Sequence, residues 1–184
     1  MTLRLTGGVL ANRRIRAAAG AMLRPTPGRV KEALFSILGE RIAGAAVLDL
    51  FAGTGAIGFE ALSRGAARAV FVERHAATAS AIAQTARDMG VADRVRTVRA
   101  DAYKALPVTE MRGRFDFVYA DPPYEAPAPI AFLAALRASG AIDAQTVVVY
   151  ERRSSSPAVH FPGFTLAREA RYGEVLLQFL RVDG

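Results

Sequence analysis

The spacing of hydrophobic and polar positions changes character near Ala46. Before it, Leu3, Leu5, Val9 and Ile15 lie among Arg4, Arg13, Arg14 and Arg16 around Gly7-Gly8, which predicts a small basic hairpin or extended arm. A turn-rich stretch from Arg24 to Gly28 follows. Thr26 is then the expected N-cap with Pro27 at the first helical position, and Val30, Leu34, Ile37 and Leu38 recur at helical spacing to about Arg41. That helix would dock by its apolar stripe and leave Arg29 and Lys31 near its exposed start.

Beyond Ala46, short apolar runs alternate with amphipathic stretches. Strands are expected at Val47 to Phe51, Ala69 to Glu73, Val95 to Arg99, Phe115 to Ala120 and Thr146 to Glu151. Helices are expected between them at Ala56 to Arg64, Ala76 to Met89 and Ile130 to Ser139, each followed by a glycine at the C-cap, namely Gly65, Gly90 and Gly140. Arg152 to Gly163 reads as a loop, and Phe164 to Arg171 with Glu174 to Val182 as a closing pair of strands joined at Tyr172-Gly173. Alternation of this kind defines an α/β fold: a doubly wound, mostly parallel seven-stranded sheet of the Rossmann-like type, with an antiparallel C-terminal hairpin and a small basic N-terminal extension. Residues 1–25 are expected to form the basic arm and 26–184 the main domain.

The chain has no cysteine and two histidines, His75 and His160. Disulfides, thiolate metal sites and a cysteine nucleophile are thereby excluded, and no metal site is expected. No run approaches the roughly 20 apolar residues that cross a bilayer, so the expectation is a cytoplasmic protein without membrane contact, taken as a monomer. Seven of the 24 basic residues fall in residues 1–31 with no acid among them, and the other 17 match the 17 acids. The formal charge of +7 therefore belongs to one segment, the footprint of a phosphate-backbone contact as well as of a solvated basic face.

Asp49-Leu50-Phe51-Ala52-Gly53-Thr54-Gly55-Ala56-Ile57-Gly58 reads as a strand entering a glycine-rich turn and a helix, where backbone can approach a ligand closely. The glycine spacing alone also suits a nicotinamide dinucleotide or a merely tight turn. Asp49 suits a cationic amino group rather than a phosphate, and Glu73, ending the next strand, can accept both hydroxyls of a ribose. Asp101-Ala102, one strand further, can offer a side chain and a backbone N–H to an adenine edge. An amino acid end, a ribose and an adenine in that order describe S-adenosylmethionine. The candidate cofactor residues are Asp49, Ala52, Gly53, Gly55, Glu73, Asp101 and Ala102, although an acid such as Asp101 taken singly is also what a helix cap or surface charge provides.

The most specific signal is Asp121-Pro122-Pro123-Tyr124 directly after a strand. Two prolines cannot continue a ladder, so they fix a rigid turn that pushes polar groups beyond the sheet edge. With the Asp121 carboxylate and the Pro122 carbonyl each accepting one hydrogen of an exocyclic amine, the nitrogen lone pair can turn toward a methyl sulfonium, and Tyr124 can stack on the base. No strong general base is needed, because the nitrogen becomes acidic only as it gains the methyl group.

Asp49 to Gly58, Glu73, Asp101 and Asp121 to Tyr124 resemble the motif series of class I S-adenosylmethionine-dependent amino-methyltransferases. Arg24 to Phe35, Leu48 to Gly55 continuing to Glu60 to Ala66, and Tyr172-Gly173-Glu174 narrow the resemblance to the bacterial RsmD family, which methylates the N2 amine of one guanine in 16S ribosomal RNA. The chain departs from that family in following Thr26 with Pro27 and Gly28. The resemblance implies that Asp121, Pro122, Pro123 and Tyr124 hold the guanine. It implies that Arg13, Arg14, Arg24, Thr26, Arg29 and Lys31 hold RNA, and that the partner is the small ribosomal subunit or its assembly intermediate. Rival readings of the same residues are an adenine-N6 methyltransferase acting on DNA or another RNA, a small-molecule methyltransferase, a nicotinamide oxidoreductase and a non-catalytic RNA-binding module.

Overall fold

The computed structural model describes residues 3–18, 27–104, 113–123 and 125–184. Of the residues singled out above, Arg24, Thr26 and Tyr124 lie outside the described residues. One sheet of seven strands organises the chain: β1 (Ala46–Asp49), β2 (Arg68–Glu73), β3 (Val95–Arg99), β4 (Phe117–Ala120), β5 (Val147–Arg153), β6 (Phe164–Tyr172) and β7 (Val175–Val182). Their order is β3-β2-β1-β4-β5-β7-β6, with β1 to β5 mutually parallel and β7 antiparallel to both β5 and β6. The strand order reverses between β1 and β4, which opens a crevice beyond their carboxyl ends.

Four α-helices cover the faces: α1 (Gly28–Leu38), α2 (Ala56–Ser63), α3 (Ala76–Met89) and α4 (Ile130–Ala138). The first three pack with Val47, Phe71 and Tyr119 in one buried cluster, and α4 closes the other with Leu48, Val118 and Val148. α2 is buried along its whole length, which explains its almost uniformly apolar or small sequence. Gly90 ends α3 and Gly140 follows α4, each at φ 72°, the left-handed conformation that glycine adopts without a Cβ penalty.

Several boundaries differ from the sequence expectation. Pro27 rather than Thr26 occupies the cap position of α1, and Gly28 opens the helix. The α-helix stops at Leu38 because Gly39 turns to positive φ, and a short 3-10 turn over Gly39–Ile42 completes the segment. β5 runs on through Arg152 and Arg153, expected in a loop, because both pair with β7 opposite Leu176 and Val175. The buried Arg152 guanidinium is satisfied by the carbonyls of Arg153 and Ser156, and by Gln178.

Residues 3–15 do form a hairpin. Leu5 N–H donates to Arg13 O at 3.1 Å and Ile15 N–H to Leu3 O at 2.9 Å, while Leu5 and Ile15 are buried in the cluster beneath α1 to α3. Val9, by contrast, is 86% exposed at the tip. The tip docks on the end of α2, where Val9 N–H donates to Ser63 O at 2.7 Å. A Cβ on Gly8 would sit 1.9 Å from that same carbonyl oxygen, so only glycine fits there.

Candidate active site and cofactor cradle

After Asp49, the chain leaves the sheet through Leu50, whose N–H donates to Tyr119 O at 2.9 Å, and Ala52, whose N–H donates to Val72 O at 3.0 Å. Gly53 and Gly55 then turn at φ 52° and 77°. Two carboxylates brace this turn from below. Asp49, only 2% exposed, accepts the Gly58 N–H at 3.0 Å, and Glu73 accepts the Gly53 N–H at 3.0 Å and the His75 N–H at 2.7 Å. A carboxylate offers about four acceptor positions, so Glu73 keeps capacity for a ligand's hydroxyls while it holds the turn.

Gly55 and Gly58 serve packing as directly as ligand approach. A Cβ on Gly58 would lie 2.3 Å from the Phe71 ring, and one on Gly55 would lie 2.9 Å from both Phe59 and Phe71. The close seating of α2 on β2 therefore requires both glycines. Sequence spacing alone cannot separate that use from ligand approach.

Burial pushes the Asp49 carboxyl up to about 7; the Gly58 amide opposes this, and the nearby Glu73 charge adds to it. It is a buried acid in want of a cation. Asp101, half-buried beyond β3, accepts the Tyr103 N–H at 3.0 Å, and Ala102 is buried beside it.

Across the crevice, β1 and β4 pair in register with Asp49 opposite Tyr119, so Asp121 leaves β4 at the same carboxyl end of the sheet from which the glycine turn leaves β1. Asp121 is half-buried, Pro122 buried and Pro123 exposed, with the Pro123 carbonyl accepting the Ala126 N–H at 2.8 Å. The Tyr150 hydroxyl, one strand over, is raised chiefly by burial; Arg152 lowers it and the Asp121 charge raises it. Beneath this edge the buried Tyr119 hydroxyl donates to the buried Glu151. Neither Glu151 nor Tyr103 was anticipated, because both lie on strands or turns whose local pattern is that of ordinary core and surface.

The basic segment divides between solvent and internal partners. Arg14 and Arg29 are exposed. Arg13 is exposed too, but its guanidinium donates to the Asp88 carbonyl, while Arg16 pairs with the Asp88 carboxylate and holds it below its usual range. Asp88 sits in the last turn of α3, roughly 18 Å along that helix from the site edge of the sheet. Lys31 is a correction. It is 1% exposed rather than at an exposed helix start, its ammonium 3.5 Å from Glu60 and donating to Arg4 O at 3.1 Å. Position 31 shares the inward face of α1 with Leu34, Phe35 and Leu38, so its stem runs under the hairpin. A shallow cleft of about 380 Å³ lined by Arg41, Asp116 and Gln145 lies at the opposite edge of the sheet, remote from these residues.

A doubly wound sheet with a braced glycine turn after β1 and an Asp-Pro-Pro corner after β4 defines the protein as a class I methyltransferase by fold. The chain belongs to the family described as Conserved hypothetical protein 95, the RsmD family, whose model matches residues 3–181. It is 27% identical over 174 residues to ribosomal RNA small subunit methyltransferase D of Haemophilus influenzae, covering 94% of this chain and 90% of that one. The solved structure of yhhF from Escherichia coli superposes with a TM-score of 0.82 at 28% identity, over 100% of this chain and 99% of that one. An RNA methyltransferase from Salinibacter ruber, solved with S-adenosyl-L-homocysteine, shares the fold at a TM-score of 0.62 and 19% identity, over 87% and 94% of the two chains. No helix among the described residues is long and apolar enough to cross a membrane.

Proposed function

We propose that this protein transfers a methyl group from S-adenosylmethionine to the exocyclic N2 amine of a guanine in 16S ribosomal RNA, acting in the cytoplasm on the small subunit or its assembly intermediate. The observation that carries this reading is the register of β1 and β4, which sets the Asp121-Pro122 corner beside the braced glycine turn at the strand-order reversal. The donor set fits the cofactor. Asp49 is a buried carboxylate that a cationic amino group would stabilise, Glu73 retains acceptor capacity for a ribose, and the Asp101-Ala102 turn offers polar groups to an adenine. When bound, S-adenosylmethionine supplies an electrophilic methyl on its sulfonium.

The chain's own residues do the rest. Asp121 and the Pro122 carbonyl hold the two amine hydrogens and turn the nitrogen lone pair out of the purine plane, and the proton released on transfer leaves to Asp121 or to water. The target base has to be unpaired or flipped out to reach this corner. Arg14 and Arg29 contact phosphates, with Arg13 partly committed to Asp88 and Lys31 committed to the interior.

The test is transfer of labelled methyl from S-adenosylmethionine to small subunits or assembly intermediates from cells lacking the modification, followed by nucleoside analysis. Label in N2-methylguanosine at one site supports the reading. Label in another nucleoside, or none despite cofactor binding, overturns it.

Asp49 sets a pH dependence. Its folded-state pKa of about 7 lies above the value of 3.8 for a free side chain, so the folded protein takes up this proton more tightly than the unfolded chain. Its contribution to stability is therefore full below about pH 4 and lost as pH rises toward 7. A cationic ligand binds the ionised form, so S-adenosylhomocysteine affinity is expected to rise about tenfold from pH 6 to pH 8. Calorimetry at the two pH values checks this, and a flat profile in wild type would show that Asp49 does not titrate between them.

A further inference from the structure

One residue links three of the segments that meet at the crevice. Tyr103 follows Asp101 and Ala102 in the turn after β3, where its N–H is held by the Asp101 carboxylate. Its ring packs on Phe51 of the glycine turn at 5.3 Å between centroids, tilted by 42°. Its hydroxyl donates to the Pro127 carbonyl at 2.8 Å, in the segment that runs from Asp121 to the start of α4. We propose, on the methyltransferase reading above, that Tyr103 is a positioning residue that clasps the target-base loop to the cofactor side of the site and so fixes the amine relative to the methyl donor.

The composition of the loop explains why such a clasp is needed. Pro122, Pro123, Pro127 and Pro129 bring no N–H to residues 121–129, so this stretch has few donors with which to anchor itself. Within the stretch Pro123 O takes the Ala126 N–H at 2.8 Å, and Pro127 O takes the Tyr103 hydroxyl, a bond that ties it to the turn after β3. Burial, with smaller contributions from Tyr150 and Asp101, pushes the Tyr103 hydroxyl up to about 12, so it remains a donor throughout the neutral range.

Tyr103 is 39% exposed, so losing its hydroxyl leaves water able to solvate the freed carbonyl and affects folding little. Transfer is far less tolerant, because displacement of one reactant by about 1 Å can slow a reaction by about a hundredfold.

The test compares full-length Tyr103→Phe with wild type, which keeps the ring on Phe51 and removes only the hydroxyl. Expected are a kcat for methyl transfer to small subunits about tenfold lower, with S-adenosylhomocysteine affinity and the KM for S-adenosylmethionine within about twofold of wild type. Amide hydrogen exchange at Ala126 is expected to quicken in the variant, with exchange in β1 and β3 unchanged. An unchanged kcat, or a fall in kcat matched by an equal fall in S-adenosylhomocysteine affinity, overturns the proposal. Should wild type itself transfer nothing to the subunits, the substrate reading fails, and the exchange measurement still decides the clasp: unaltered protection at Ala126 rules it out.

Discussion

Replacing Asp121 by alanine is expected to lower methyl transfer about a thousandfold and to leave S-adenosylhomocysteine affinity within about twofold of wild type. The separation follows from the topology. On the proposed reading the cofactor contacts come from the ends of β1, β2 and β3, whereas Asp121 stands beyond β4, with Pro122 buried and Pro123 exposed. Alanine keeps both prolines and the backbone conformation they impose, so the corner persists while one of its two acceptors for the amine disappears.

A purine amine is a poor nucleophile because its lone pair is delocalised into the ring. A single remaining acceptor lets it relax into the base plane, and loss of one preorganised partner at a reacting centre is worth about 10² to 10³ in rate, with misorientation adding to it. Asp121→Asn retains an acceptor oxygen but no charge to meet the developing positive nitrogen, and should fall between alanine and wild type. Single-turnover transfer to small subunits at saturating cofactor measures all three proteins. Alanine activity above a tenth of wild type would remove Asp121 from the reacting centre, and a matching collapse in cofactor affinity would make it a structural residue.

The frame of this site was legible because it is local. β1, β2, β4 and the first half of β5 are short apolar runs, and the prolines of the Asp121 corner announce a turn whatever surrounds them. What escaped the sequence was set by contacts between distant positions. Arg152 and Arg153 look like loop residues until β7 pairs with them. Glu73 carries the expected type of group for a ribose, yet its hydrogen bond from the Gly53 amide is invisible until the glycine turn folds over it. Gly58 belongs to the ligand motif by spacing, while the Phe71 ring that forbids a side chain there lies 13 residues on, on another element. In the basic segment, a count of positive charges cannot show that Asp88 accepts hydrogen bonds from Arg13 and Arg16.

Glu60 is where the long-range organisation concentrates, and Glu60→Ala is expected to destabilise the protein by about 3 to 5 kcal/mol, lowering Tm by about 10 °C. Its fully buried carboxylate accepts the N–H and hydroxyl of Thr6 at 2.8 and 2.7 Å, the Gly7 N–H at 2.8 Å and Arg64 Nε at 3.0 Å, and lies 3.5 Å from Lys31 Nζ. Burial pushes its carboxyl up, but the Thr6 donors, Lys31 and Arg64 outweigh that and hold it below the ordinary range. Its contribution is thus present above the unfolded value of 4.5 and lost as pH falls through the lower folded-state value.

Removing Glu60 strands a buried ammonium and three donors of the hairpin at once, the circumstance in which a broken buried pair is most destabilising. Lys31→Met should be much milder, because Glu60 keeps Arg64 and the hairpin donors, and the double variant should recover part of the Glu60→Ala loss by removing the stranded charge. Urea denaturation of the four proteins, compared as a double-mutant cycle, gives the coupling directly. The same variant bears on RNA. With its Glu60 anchors gone and its tip held to α2 through Ser63, the hairpin presents Arg14 less firmly, so subunit affinity should weaken while Asp49 still holds the glycine turn through Gly58. A Glu60→Ala protein within about 1 kcal/mol of wild type would show that the hairpin is held by its apolar contacts, Leu5 and Ile15, and that the buried charges merely accompany them.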